Sequence, residues 1–300
     1  MREELFENCT LCPRKCNVNR LEGKRGYCCM DSTIRAARAA LHMWEEPCIS
    51  GKKGSGAVFF SGCGLRCCFC QNRDIAIGDS GKEITVERLA EIFLELQEKG
   101  AANLNLVTGA HYVPHIISAL ELARGKGMNL PVVYNSSGYE SVETIRRLDG
   151  YVDVYLPDMK YMEPELAAAF SNARDYPQAA QSAIAEMMRQ TGPCQFAEDG
   201  YIKRGTIVRH LILPGHTKNS IAVLKYLYRT YGEDIFISVM NQYTPVWKNE
   251  KFPELNRKVT RREYEKVLDA AIELGIENGY FQEGETAEES FIPAFDYEGV

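Results

Sequence analysis

An α/β fold, built as a partial, open β/α barrel of about six parallel strands behind a Cys-rich N-terminal cap, is the architecture these 300 residues predict. Three observations lead there. From residue 57 onward, short β-rich runs alternate with amphipathic helical stretches, the rhythm of parallel strands joined by crossover helices. The runs number about six, too few for a closed eight-stranded barrel. The residues after each run are polar: "SGCG", "VTGAHY", "NSSG", "PDMK", "PGHTKN" and "MNQYTP". In β/α barrels function collects where strands end, so these ends point to one shared site.

The expected strands are 57–60, 104–107, 132–134, 152–156, 206–213 and 235–240. Between them, "TVERLAEIFLELQEKG" puts Val86, Leu89, Phe93 and Leu96 on one face. Thr85 is its N-cap and Gly100 its stop. Further helices are expected near 114–124, 141–148, 164–170, 178–190, 220–231 and 261–274. Residues 1–56 lack this rhythm. They read as a Cys-rich cap and a connecting segment containing "EEPCISGKKGSG". The barrel occupies 57–275, and 276–300 form an acidic C-terminal segment with several aromatics.

Composition narrows the function. The net charge is −6, with a pI near 5.6, which argues against nucleic acid as an electrostatic partner. No run is long enough to span a membrane, and "MREELFENCT" lacks the apolar core of a signal peptide. A cytoplasmic location follows as an expectation. In that reducing setting the eleven cysteines suit metal ligation or redox chemistry better than disulfides. They cluster at 9, 12, 16, 28 and 29, then at 63, 67, 68 and 70, with Cys48 and Cys194 apart as packing thiols.

Cys63, Cys67 and Cys70 have the spacing C-x3-C-x2-C at the end of the first expected strand. Three thiolates on a tight loop hold three corners of a cubane cluster and leave one iron open to bind a substrate. Zinc on Cys63, Cys67, Cys68 and Cys70 is a rival, although adjacent cysteines suit a tetrahedral ion poorly. A redox dithiol at Cys67 and Cys70 is another.

At this motif the sequence resembles the radical S-adenosylmethionine (radical SAM) superfamily, whose members bind a 4Fe–4S cluster through that spacing. Phe69, before the last cysteine, matches as well. Nearly the whole chain looks like the uncharacterised branch related to pyruvate formate-lyase activating enzyme. The matching stretches are "LCPRKCNVNR", "EEPCISGKKGSG", "FFSGCGLRCCFCQN", "NLVTGAHYVP", "VVYNSSGYES", "VDVYLPDMKY", "VRHLILPG" and "MNQYTP". The resemblance implies an oxidoreductase-type enzyme. Its open iron chelates S-adenosylmethionine, one electron splits the sulfonium, and a 5′-deoxyadenosyl radical abstracts hydrogen from the substrate. The implied partners are an electron donor such as flavodoxin or ferredoxin and a protein substrate, a glycyl radical enzyme. A small-molecule or peptide substrate is the alternative. A non-catalytic iron–sulfur or zinc protein is a third reading.

The resemblance also implies residues. Cys63, Cys67 and Cys70 ligate the cluster, and Cys68 stands by. Phe69, Thr108, Gly109, Asn135, Ser136, Ser137, Asp158, Lys160 and Arg209 are expected to contact S-adenosylmethionine. Where many relatives have Gly-Gly-Glu, this chain has Thr108-Gly109-Ala110, without the carboxylate. Lys160 is expected to pair with the carboxylate of S-adenosylmethionine. Strand alternation lets only one of Arg209 and His210 face inward, and Arg209 is favoured. Gln242 and Tyr243 are the expected substrate contacts, as hydrogen-bond donors. At the N-terminus, Cys9, Cys12, Cys16 and Cys28 suit structural zinc and a second, fully ligated cluster equally. His111 and His115 are four apart, but Pro114 starts a helix between them, so a metal pair is not expected. "GKKGSG" precedes a strand and reads as a turn.

Overall fold

The computed structural model describes residues 4–78, 80–282 and 293–300. One ten-stranded sheet dominates it. In chain order its strands are β1 (Ile34–His42), β2 (Ser55–Phe60), β3 (Lys82–Ile84), β4 (Leu104–Val107), β5 (Val132–Ser136), β6 (Val154–Pro157), β7 (Gln195–Phe196), β8 (Ile202–Leu211), β9 (Phe236–Met240) and β10 (Gly279–Phe281). Their spatial order is β10-β9-β8-β6-β5-β4-β2-β1-β3, with β7 added to β8. From β2 through β10 the main path is parallel throughout. Strands β1 and β3 extend the β2 edge antiparallel, so the two ends of the path do not meet.

All six expected strands are present, and a seventh parallel strand, β10, pairs with β9. The helices follow the sequence pattern. Val86–Glu98 starts at Thr85, whose side chain accepts from Arg88 N, and buries Leu89, Ile92, Phe93 and Leu96. Each such side chain contributes about 1.5–3 kcal/mol through burial. With Val113–Gly125 this helix covers the outer residues Val58, Phe60, Leu104, Leu106, Val132 and Tyr134. Alternation sends the neighbouring residues inward.

The inner face is plugged at one end by part of the connecting segment. After β1, helix Pro47–Ser50 inserts Cys48 and Ile49 among Val133, Val154, Leu156 and Ile207. Cys48 is therefore a packing thiol. The C-terminal residues 293–300 lie along β1, where Ala39 N donates to Glu298 O at 2.8 Å and Tyr297 N to Ala37 O at 3.1 Å. Gly299 has φ +73°, and a β-carbon there would meet Ala39 O at 2.1 Å, so the close approach requires glycine. Residues 283–292, the middle of the acidic segment, lie outside the described residues.

Candidate active site

The loop after β2 carries Cys63, Cys67 and Cys70. Its entry is at Gly62, φ +90°, where a β-carbon would meet Met30 Cγ at 2.4 Å and Cys28 O at 2.8 Å. Leu65 anchors its middle, fully buried. Cys68 N donates to Phe170 O (2.8 Å) and Cys70 N to Cys67 O (3.1 Å). Ser171 Oγ donates to Cys67 Sγ at 2.9 Å. Burial raises the Cys67 thiol to about 11, against the pull of Lys160. Burial raises Cys70 to about 12, helped by its two sulfur neighbours Cys67 and Cys63.

These three sulfurs front a cavity of about 230 Å³ whose lining comes from the ends of β2, β4, β5, β6, β8 and β9. Six strand ends around one cavity mean that the sheet is curled, as in a barrel. Arg209 spans the interior. Its Nε donates to Asp158 Oδ1 (3.0 Å), Nη1 to Glu45 Oε2 (3.1 Å) and Nη2 to Asn135 Oδ1 (2.6 Å). Glu45 Oε1 accepts from Asn105 and Asn135, each at 3.1 Å. Lys160 Nζ donates to Asp158 Oδ2. Burial alone would raise Asp158, but Lys160 and Arg209 outweigh it and hold the carboxyl below its usual value. Glu45 goes the other way: burial pushes it up, against Arg209.

Most of the expected contacts line this cavity: Phe69, Thr108, Asn135, Ser136, Ser137, Asp158, Lys160, Arg209, Gln242 and Tyr243. Gly109 does not. A β-carbon there would meet Ile116 Cδ1 at 2.4 Å, so this glycine serves close packing of its helix. Tyr243 lines the cavity with its ring, but its hydroxyl donates to Leu255 O at 2.7 Å and is not the substrate donor expected of it. The Ser136 hydroxyl accepts from Gly138 N at 3.1 Å, a local turn bond. His210 faces away from the cavity, with Nδ1 2.6 Å from Met159 O. Among the lining residues that the sequence does not mark are His42, Trp44 and Glu45. They lie at the end of β1 and just after it, and nothing local marks them as facing a barrel interior.

The cap folds back on itself through Asn17 N to Cys9 O (3.0 Å) and Cys9 N to Val18 O (3.1 Å). It brings Cys9, Cys12, Cys16 and Cys28 within electrostatic reach of one another. Burial lifts Cys12 to about 12 and Cys28 to about 11, the latter opposed by Arg20. Arg20 is fully buried and donates to Asp31 O and His111 O. His111 Nε2 lies 2.7 Å from Ser61 O, and His115 Nε2 lies 2.8 Å from Ser32 O. The two histidines thus serve separate backbone contacts.

Residues 57–227, more than half of the chain, match the family model for the radical SAM superfamily. The chain belongs to the radical SAM superfamily. It is 30% identical over 276 residues to an uncharacterized protein of Methanocaldococcus jannaschii, an alignment covering 90% of this chain and 75% of that one. It is 28% identical over 113 residues to the pyruvate formate-lyase-activating enzyme of Clostridium pasteurianum, covering 36% of this chain and 46% of that enzyme. Among solved structures, Streptococcus suis SuiB bound to S-adenosylmethionine aligns at 13% identity and TM-score 0.45, over 74% of this chain and 45% of that one. The chain thus spans about half the length of such a structure.

Membership of the radical SAM superfamily implies a 4Fe–4S cluster and S-adenosylmethionine, and the site suits both. Three soft thiol donors share one cavity wall, as a cluster with one open iron requires. Among the described residues no three ligating side chains are gathered tightly enough for a single metal ion; a cubane is larger and holds its sulfurs farther apart. Cations and carboxylates face the same space, which suits a ligand bearing both an amino and a carboxylate group. Among the described residues, no helix is long and apolar enough to cross a membrane.

Proposed function

We propose that this radical SAM protein reductively cleaves S-adenosylmethionine at a 4Fe–4S cluster held by Cys63, Cys67 and Cys70, and directs the radical to a glycyl radical enzyme. The observation that carries the reading is the convergence of those three thiols with Asp158, Lys160, Arg209 and Asn135 on one cavity. When bound and reduced, the cluster supplies the electron that splits the sulfonium into methionine and a 5′-deoxyadenosyl radical. Phe69, Thr108, Ser136 and Ser137 complete the wall beside the cofactor. Lys160 is the residue for its carboxylate, because an ammonium has three donors and one goes to Asp158. Arg209 is locked between Asp158, Glu45 and Asn135, so it organises the floor. Gln242 stands at the far strand end, where a substrate enters.

The similarity to an activating enzyme supports a protein substrate, and the unclosed sheet gives a polypeptide loop room to approach. The cap cysteines Cys9, Cys12, Cys16 and Cys28 are the proposed second metal site, for zinc or a second cluster; their spacing, too open for a single ion among the described residues, favours the cluster. A flavodoxin or ferredoxin supplies the electron. All eleven cysteines are free, which supports a cytoplasmic setting.

The test is anaerobic reconstitution followed by reductant and S-adenosylmethionine. Release of 5′-deoxyadenosine is expected, followed by a glycyl radical signal in electron paramagnetic resonance on mixing with the partner enzyme. Release without that signal across candidate partners would redirect the reading to a small molecule or peptide. No release from cluster-loaded protein would leave a non-catalytic metal protein. Metal analysis of wild type against Cys12→Ala separates zinc from iron at the cap.

A further inference from the structure

The loop of Cys63–Cys70 borders more than the cavity. Adjoining the cavity lies a separate open groove of about 460 Å³ that shares Cys67 and Cys70 with it and adds Cys68. Its rim is basic. Arg66, Arg73, Lys248 and Lys251 line it, against one carboxylate, Glu250. This excess stands out on a chain whose net charge is −6. Trp247, part of its lining, is 38% exposed, with the Arg73 guanidinium 5.3 Å from its ring centroid. The indole Nε1 donates to Cys70 O at 3.2 Å. A side chain on the surface is therefore one hydrogen bond from the backbone of a thiol that fronts the cavity.

We infer that this groove docks an acidic one-electron carrier protein. The inference rests on the proposed cluster site and adds where its electron enters. Three arguments converge. A concentrated positive patch on an otherwise acidic protein selects a negative partner and speeds encounter. Electron transfer demands close approach, and the groove is where the Cys67 and Cys70 segment meets solvent outside the cavity. The cavity is thereby left to the reacting molecules and the groove to the carrier. A substrate protein would have to reach the cavity, not this groove. In the step itself one electron leaves the reduced carrier and enters the cluster. The carrier is oxidised by one equivalent, the cluster is reduced by one, and no bond is made or broken.

The experiment uses reconstituted full-length protein and a reduced flavodoxin of net negative charge. Binding is followed by fluorescence anisotropy of labelled flavodoxin, and cluster reduction by stopped-flow absorbance. For Lys248→Glu/Lys251→Glu, both affinity and reduction rate should fall at least about tenfold at low ionic strength. The difference should vanish near about 1 M salt, where the Debye length is about 3 Å. Reduction by dithionite, which needs no docking, should be unchanged. The milder Lys248→Gln/Lys251→Gln should fall between, and equal iron content in all samples guards against misfolding. Wild-type binding and rate in both variants would overturn the groove, as would a loss that salt does not erase. A chain that takes up no cluster, or whose dithionite-reduced cluster cleaves nothing, would instead sink the functional reading beneath it.

Discussion

Two groups of cysteines sit close together in this molecule, and burial treats them alike. In the cap Cys12 is raised to about 12 and Cys28 to about 11; in the loop Cys70 is raised to about 12 and Cys67 to about 11. Their acidity does not tell them apart. What lies in front of them does. The loop thiols front a cavity shared with Lys160, Asp158 and Arg209. The cap is packed instead around Phe6, the buried Arg20 guanidinium and Leu11. A buried thiol cluster becomes reactive when a second molecule can reach it.

The strongest way to break this comparison is to remove one cysteine from each group. Cys67→Ala should abolish 5′-deoxyadenosine formation and lower bound iron by the loop's share. Cys12→Ala should keep measurable formation while losing only the metal proposed for the cap. Product chromatography with metal analysis reads both. Equal loss in the two variants would mean that the cap is part of the reaction centre.

Next in size is the cavity floor. Arg209 is the only cation bonded to Glu45 among the described residues, and it shares Asp158 with Lys160. Arg209→Gln strands a buried carboxylate, which costs about 3–5 kcal/mol. Denaturant melts should register that loss. Arg209→Lys should recover only part of it, because an ammonium lacks the planar fork. Unchanged stability in Arg209→Gln would mean that Glu45 is already protonated and the floor is held by its amide bonds.

These two tests also mark what could be read in advance. The six strands were legible because β-rich runs ended in polar turns, and Thr85 announced its helix. Strand β1 was not: "IRAARAALH" is two-thirds alanine and arginine, poor β-formers whose pairing is imposed by β2 on one side and residues 297–298 on the other. Strand β10 is three residues long, too short for a period to appear. Glu45 was invisible for the same physical reason. Its environment is set by Asn105, Asn135 and Arg209, the last 164 residues away, and no local pattern encodes a partner at that range.

A third test sharpens the contrast through pH. Glu140, buried near Cys12, is pushed up by burial to about 8. The hydroxyls of Ser136 and of Tyr134, the latter 3.5 Å from Oε2, oppose the rise without cancelling it. The folded chain then keeps a proton that the unfolded chain releases near pH 4.5. Stability is full below that value and falls as pH rises toward 8, with a limiting slope of about 1.4 kcal/mol per pH unit. Glu140→Gln carries no titrating proton, so its melts should gain on wild type across that window. Parallel profiles would show that the carboxylate is solvated after all.

The smallest effect concerns how the two groups communicate. Arg14 lies between Cys12 and Cys16 yet spends its guanidinium on the other region. Its Nε donates to Gly64 O (2.8 Å), Nη1 to Asn172 O (2.5 Å) and Nη2 to Ser171 O (3.1 Å), with Tyr27 stacked at 3.9 Å. Ser171 in turn donates to Cys67 Sγ. The cap therefore sets the shape of the reactive loop through one planar side chain. Arg14→Lys keeps the charge but satisfies these three carbonyls less well, a loss of about 1–3 kcal/mol if two bonds go. Iron release to a chelator should quicken several-fold, with cleavage per bound cluster nearly unchanged. If release stays at the wild-type rate in Arg14→Lys but quickens in Cys12→Ala, the cap acts through its metal and not through this contact. The coupling would then run along Arg20 and His111, whose carbonyl and imidazole link the cap to Ser61 at the head of the loop.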